Sequence, residues 1–325
     1  MKQTRPKVAV IGGGTGIFSV LSGLKNQPVE LSAIVSMADS GGSTGRLREE
    51  FGVLPPGDIR MALIALSEPR QTLAELFTYR FAGDSLNHSF GNLFLIALAD
   101  IKGGFAQGVH EAARVLGAKG RVFPVTLDNV HLRARLENGQ IIEGEANIDC
   151  PKHDGSLRIE SIYYDQPCQV NPEATQALKE ADFIIIGPGD LFSSIIPNLI
   201  VPGVKEALEA SKAAKVYLCN LMTKFGETNG FRGENFVQEL EKYLRPDIFD
   251  WIVFNNHRPD RLRVKKYEQE RSEMVEYSIE ALADRRAKIL ERDLLRSEGY
   301  VRHDFDKIAQ VIMEIINDGQ NGEKD

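Results

Sequence analysis

Cysteine is scarce in this chain: Cys150, Cys168 and Cys219 are the only three thiols in 325 residues. They are odd in number, far apart and form no CxxC pair, so a disulfide framework is not expected and a reducing compartment, the cytoplasm, is. The six histidines make no HExxH or comparable spacing, so no structural zinc site is expected either. A basic surplus is also missing. The 39 lysines and arginines against 46 acids give a net charge of −7, which argues against a dedicated nucleic-acid binder. No apolar run approaches the roughly 20 residues that span a bilayer. The opening MKQTRP runs straight into a strand pattern without the apolar core of a signal peptide, so no membrane insertion is expected. What remains is the composition of a soluble globular protein, 42% hydrophobic and 26% charged, with 29 glycines.

Short runs rich in β-branched residues alternate with stretches of helical periodicity. Residues 7–11 (KVAVI), 31–37 (LSAIVSM), 183–186 (FIII), 215–218 (KVYL) and 251–254 (WIVF) have the near-continuous apolar character of strands covered on both faces. Helical spacing occupies 17–25, 58–66, 73–79, 92–101, 109–116, 175–180, 203–214 and 236–243. The alternation predicts an α/β fold: a Rossmann-like, doubly wound, mostly parallel sheet. One region breaks the rhythm. Over about 121–162 the chain alternates as antiparallel strands do, with Asn138-Gly139 as a hairpin turn, and reads as an inserted antiparallel β region. The whole of 1–317 is then one domain, with a charged C-terminal subregion over about 256–317, a closing helix over 307–317 and a flexible tail at 318–325. The cations Arg258, Arg261, Arg263, Lys265 and Lys266 are followed by Glu268, Glu270, Glu273 and Glu276, which makes a solvated face rather than a nucleic-acid surface.

Chemistry concentrates in turns that follow strands. The first strand runs into Gly12-Gly13-Gly14-Thr15-Gly16 and then a helix. Glycines let backbone amides approach a phosphate, and the helix that follows offers unpaired amides and its positive dipole end to the same anion. The spacing is neither GxGxxG nor a Walker loop. The second strand ends in Asp39-Ser40-Gly41-Gly42-Ser43-Thr44-Gly45-Arg46, an acid among phosphate donors, a composition suited to holding Mg²⁺. Pro55-Pro56-Gly57-Asp58-Ile59-Arg60 opens a helix, with Asp58 fitting its N-cap, and His88-Ser89-Phe90-Gly91-Asn92 stands before another, with Ser89 or Asn92 as its cap. Late in the chain Gly187-Pro188-Gly189-Asp190, Ser193 and Asn198 follow the FIII strand, and Asn220 follows KVYLC. Ligands in open α/β sheets bind outside the carboxyl ends of strands, where all of these residues fall.

Together these pieces resemble the CofD-like superfamily, in its YvcK-like branch of gluconeogenesis factors. The matching segments are GGGTG at 12–16, ADSGGSTGRLR at 38–48, PPGDIR at 55–60, HSFGNL at 88–93, IGPGDLFSSIIPNL at 186–199, CNLMT at 219–223 and VRHD at 301–304. The resemblance implies a UDP-sugar ligand such as UDP-N-acetylglucosamine, a role in cell shape and peptidoglycan synthesis on gluconeogenic carbon sources, and a homodimer. It also implies that Arg302 contacts the ligand, where a guanidinium fork suits a pyrophosphate. The other branch, the 2-phospho-L-lactate transferases, uses Mg²⁺ held by two acids, and Asp39 and Asp58 stand at the matching positions. The YvcK-like pattern often has two consecutive acids where this chain has Asp39-Ser40, a departure that weakens the case for metal-dependent transfer.

Three functions follow. The first is a regulatory protein that binds a UDP-sugar or another nucleotide diphosphate and acts on a protein partner. Its expected ligand-binding residues are Gly12, Gly13, Gly14, Thr15, Gly16, Asp39, Ser40, Gly41, Gly42, Ser43, Arg46, Asn92, Gly187, Pro188, Gly189, Ser193, Asn198, Asn220 and Arg302. The second is a Mg²⁺-dependent transferase using a nucleotide diphosphate-linked donor, with Asp39 and Asp58 on the metal and Arg46 or Arg60 on the phosphoryl oxygens. An NAD-type oxidoreductase is the weakest, because the glycine spacing is wrong. His88 and His303 are the only histidines placed to act as bases, and each reads more readily as structural.

Overall fold

A computed structural model of the chain describes residues 5–68, 71–81 and 88–322, with side chains described to residue 319. Among the described residues ten strands fall into two sheets. Seven of them form the main sheet: β1 (Lys7–Gly12), β2 (Glu30–Val35), β3 (Gly120–Pro124), β7 (Phe183–Ile186), β8 (Ala214–Leu218), β9 (Trp251–Asn255) and β10 (Lys288–Arg292), in the order β10-β9-β8-β7-β1-β2-β3. Every neighbouring pair in this sheet runs parallel. The chain therefore builds outward from β1 in one direction, then returns to its other side through β7 and builds outward the opposite way. That reversal is the strand order of doubly wound folds, and it opens a crevice between the carboxyl ends of β1 and β7.

Burial explains the central strands. Val8 to Ile11 of β1 and all of β7 are buried, because helices cover both faces. Helix α1 (Gly14–Leu24) buries Ile17, Val20, Leu21 and Leu24, a stripe at helical spacing. Helix α2 (Gly42–Phe51) follows β2, and α3 (Gly57–Leu66) packs against α1. Helices α4 (Gln71–Thr78), α5 (Phe90–Lys102) and α6 (Phe105–Leu116) then lead to β3. Among the described residues no single helix is long and apolar enough to cross a membrane.

The antiparallel region is smaller than the alternation predicts. The segment beginning at 121 is β3, the parallel edge of the main sheet, and only β4 (Leu132–Leu136), β5 (Ile141–Glu143) and β6 (Ile159–Tyr164) make the second sheet, in the order β5-β4-β6. As the edge strand, β3 exposes Arg121, buries Val122 to Pro124 and ends in a proline, which a central parallel strand would not carry, so it reads with the antiparallel strands that follow. The Asn138-Gly139 turn does join β4 to β5, with Asn138 Oδ1 accepting from the Gln140 amide at 2.9 Å. EANID, read as strand, is the short helix α7 (Glu145–Asp149). Two further differences concern ends. The glycine-rich turn after β2 is helical from Gly42 onward, and the last helix runs Phe305–Gly322, through most of the expected tail, whose remaining residues, 323–325, lie outside the described residues.

Candidate functional site

The crevice at the strand reversal is walled by the two loops that the glycine motifs form. Gly13 caps α1 with extended backbone, and Gly16 packs so closely on the β7 loop that a Cβ there would stand 1.9 Å from the Pro188 carbonyl oxygen. After the cis Gly187–Pro188 bond the chain enters a π-helical turn, Leu191–Ile195, where the Ile195 amide donates to Asp190 O at 3.0 Å. Asn220, at the end of β8, ties down Gly189, donating to its carbonyl at 2.7 Å. A cavity of about 510 Å³ opens here, lined by Gly13, Gly14, Thr15, Gly16, Pro188, Gly189 and Asn220 on the sheet side. Arg296, Arg302 and Tyr267 also line it, and this volume lies in the usual range for small-ligand sites. Arg302 is exposed and its guanidinium stands 5.6 Å from the Tyr300 ring centre.

Beside this cavity lie two acids. Asp39 accepts from the Gly41 amide at 2.9 Å. A Cβ on Gly57 would stand 2.2 Å from Asp39 Oδ2, so only glycine lets the start of α3 approach that carboxylate. Asp58 is not the N-cap expected of it: Pro56 is, and Asp58 sits two residues further, in the first turn of α3, where it accepts a hydrogen bond from the Gly14 amide at the start of α1. Burial first, and then the charge of Asp39, push Asp58 up to about 7. Asp39 is raised too, by burial, although Gly41, Thr44, Arg48 and Arg60 oppose the shift. Glu145 of α7 approaches the pair from the antiparallel sheet and is pushed up to about 9, by burial and then by Asp39 and Asp149. Among the described residues neither Asp39 nor Asp58 belongs to an ion pair. Two half-buried carboxylates, with Asp39 raising Asp58 and only Arg48 and Arg60 as opposing charges outside salt-bridge contact, have the chemistry to hold a divalent metal.

A second acidic group is already neutralised. Lys224 Nζ meets Asp149 Oδ1 at 2.6 Å and Asp190 Oδ2 at 3.1 Å, joining α7 to the β7 loop. Burial works against the ammonium, yet Asp190 and Asp149 hold Lys224 above its ordinary range. Buried Glu227 accepts from the Phe192 and Ser193 amides and from Ser193 Oγ, at 2.8, 3.2 and 2.8 Å, and burial pushes it up to about 8.

A smaller cavity of about 290 Å³ holds the acid pair itself, lined by Asp39, Gly41, Gly42, Ser43, Asp58 and Asn92, together with Arg60 and Arg80. Met61 borders both cavities. Here Asn92 Oδ1 accepts from Arg60 Nε at 2.9 Å, and Asn92 Nδ2 reaches Ser43 Oγ at 3.3 Å. Ser89 is the N-cap of α5.

The expected ligand-binding residues thus divide. Gly13, Gly14, Thr15, Gly16, Pro188, Gly189, Asn220 and Arg302 face the larger cavity, and Asp39, Gly41, Gly42, Ser43 and Asn92 the smaller. The others have structural tasks or stand behind. Asn198 is fully buried and donates to the carbonyls of Gly12, Ser194 and Ile195. Ser193 serves Glu227, and Ser40 Oγ accepts from the Ala146 amide at 3.0 Å. Gly12 ends β1, Gly187 turns the chain beneath Pro188, and Arg46, half-buried on α2, lines neither cavity. It is Arg48 that anchors this helix, donating to Asp39 O, Asn129 Oδ1 and Val130 O. His303 lines the larger cavity but is buried and held near about 4, hence neutral at pH 7; His88 Nδ1 lies 3.2 Å from Ser43 Oγ. Glu145, Asp149, Lys224 and Glu227 were not anticipated, because each joins the site through a loop distant in sequence.

A doubly wound parallel sheet with glycine-rich loops on both sides of its reversal defines a Rossmann-like α/β architecture. Residues 8–295 match the family described as 2-phospho-L-lactate transferase CofD, and the chain belongs to that family. It is similar to the gluconeogenesis factor of Bacillus subtilis, 38% identical over 97% of this chain and 99% of that protein. It is likewise similar to the gluconeogenesis factor of Halalkalibacterium halodurans, 39% identical over 95% of this chain and 96% of that protein. The crystal structure of a member of the UPF0052 family from Bacillus halodurans superposes with a TM-score of 0.91 at 36% identity, covering 96% of this chain and 99% of that one.

Proposed function

We propose that the chain binds a UDP-sugar of the UDP-N-acetylglucosamine type in the larger cavity and acts, in the cytoplasm, as a regulator of cell shape and peptidoglycan synthesis during growth on gluconeogenic carbon sources. The observation that carries this reading is that one cavity is lined both by the Gly13–Gly16 loop at the start of α1 and by Arg296 and Arg302. Amides, a helix dipole and guanidiniums in one cavity suit a diphosphate. The likeness to gluconeogenesis factors supports the regulatory role. Calorimetry with UDP-N-acetylglucosamine, GDP and NAD, each with and without Mg²⁺, tests it. Metal-independent affinity for the UDP-sugar alone, lost in Arg302→Ala, is the expected result. If Arg302→Ala and Asp39→Asn both leave that affinity intact, the site is wrongly assigned.

One observation favours a second reading, a Mg²⁺-dependent transferase. Asp39 and Asp58 are the carboxylates that would hold the ion, and a bound Mg²⁺ would supply charge stabilisation to phosphoryl oxygens. Arg60, between the acids and Arg80, would contribute a fixed positive charge. Mg²⁺-dependent GDP binding that disappears in Asp39→Asn would favour this reading over the first.

A further inference from the structure

Arg302 stands on a loop that its own side chains do little to hold. From Arg296 to Arg302 only Val301 is buried, in a small cluster with Leu221 and Leu295 that is separate from the main core. The base of the loop is closed by the Arg296 amide, which donates to the Arg302 carbonyl at 2.9 Å, and by a bridge between Leu295 and His303. Its turn contains Gly299 at φ +77°, a conformation that glycine adopts without a Cβ penalty. An exposed loop with so little packing opens at low free energy unless its backbone is tied. One side chain supplies the tie. Arg263, on the short helix Arg261–Glu268, donates from Nε to the Gly299 carbonyl at 3.0 Å, from Nη1 to that of Ser297 at 3.2 Å and from Nη2 to that of Tyr300 at 3.0 Å. Three carbonyls of one loop thus converge on one planar guanidinium, whose spread of five donors serves them together. Four residues on, along the same helix face, Tyr267 Oη donates to the Val301 carbonyl at 3.2 Å. That carbonyl belongs to the peptide bond carrying the Arg302 nitrogen, so the chain is fixed immediately before Arg302. The helix that carries Arg263 buries no residue, so completing the core is not its task.

We infer that Arg263 is a positioning residue for the larger cavity: it clamps the backbone of 297–300 so that Arg302, which lines the cavity, is held in place before a ligand arrives. The inference rests on the reading of that cavity as the UDP-sugar site, with Arg302 on the ligand. Arg263 itself does not line the cavity and acts only through the loop. Without the clamp the loop would have to be ordered on binding, and that ordering cost is subtracted from affinity. Lysine is no substitute, because it brings its three donors to one nitrogen instead of spreading them over a plane.

Hydrogen exchange read by mass spectrometry on the intact chain, without ligand, tests the clamp directly. In Arg263→Ala the amides of 296–302 are expected to exchange about tenfold faster, while peptides from β1 and α1 keep their wild-type rates. Calorimetry of the same variant should show UDP-N-acetylglucosamine bound about tenfold more weakly, and Arg263→Lys should be weakened as well. A merely structural role is separated by a third measurement. At saturating UDP-N-acetylglucosamine the loop of Arg263→Ala is expected to slow to wild-type exchange, because the bound ligand then holds Arg302 itself. Unchanged exchange of 296–302 in Arg263→Ala overturns the inference, as does wild-type affinity in a variant whose loop exchanges faster. A general rise in exchange across the main sheet makes Arg263 a stability residue and overturns it too, as does a loop that stays fast at saturation. If the wild type itself does not bind the UDP-sugar, the nucleotide reading falls, and exchange in the free protein still decides whether Arg263 holds the loop.

Discussion

Gly16 and Pro188 are in backbone contact across the sheet reversal: a methyl group on Gly16 would lie 1.9 Å from the Pro188 carbonyl oxygen. Neither atom belongs to a side chain that can swing away. Gly16→Ala is therefore expected to separate the β1 and β7 loops, at a cost of about 1–3 kcal/mol, the usual range for overpacking. Thermal denaturation would show a lowered midpoint, and calorimetry a parallel loss of UDP-sugar affinity. An unchanged melting curve would mean that the loops are not rigidly apposed.

Asp58 makes stability pH-dependent. Its carboxyl rises from an ordinary 3.8 to about 7 on folding, so its contribution is full below the lower value and is lost as pH rises through the upper one. In chelator, urea denaturation of the wild type should show stability falling between pH 4 and pH 8 along this window. Asp58→Asn, which cannot ionise, should flatten that fall and be relatively more stable at pH 8 than at pH 5. A variant with the same slope as the wild type would contradict the assignment.

Lys224 is the cation between Asp149 and Asp190. Lys224→Met leaves both carboxylates without it and is expected to destabilise the fold by about 1–3 kcal/mol, less than for a fully buried pair because the lysine is partly solvated. The loss should be largest near neutral pH and shrink as the acids protonate. Denaturant midpoints at pH 4 and pH 7 measure the difference.

Asn198 donates to three carbonyls that belong to both loops of the crevice. Asn198→Ala is expected to cost about 1–3 kcal/mol, the penalty for buried acceptors left unsatisfied. Its effect on UDP-sugar affinity should be indirect, through looser loops. A faster ligand off-rate with unchanged stability would instead place Asn198 in contact with the ligand.

The central sheet was legible because β1, β7, β8 and β9 are buried on both faces and carry unbroken apolar runs. The edges were not. β10 reads Lys-Ile-Leu-Glu-Arg, and its charges look like a solvated helix face although they protect an exposed edge. The start of α2 was read as a turn because Gly42 and Gly45 are poor helix formers; tertiary packing fixes the helix in spite of them. Within the site, backbone-rich motifs announced themselves through glycine and hydroxyl composition. Which motif residues face a ligand was not readable, since Ser193 and Asn198 turn inward to hold the loops. Nor was the contribution of α7, because no local pattern reveals that Glu145 and Asp149 reach the main sheet's edge from a separate one.

The parallel pairing of β1 with β7 has a consequence for synthesis. Val8 lies opposite Phe183 in the sheet, far along the chain. A chain leaving the ribosome can pair β1 with β2 early, but the other flank of β1 must wait until β7 has emerged. Until then its hydrogen-bonding edge is open, and a late, long-range closure of this kind is slow. Nascent fragments ending before β7 would carry the glycine turn without the Pro188 loop that packs on Gly16.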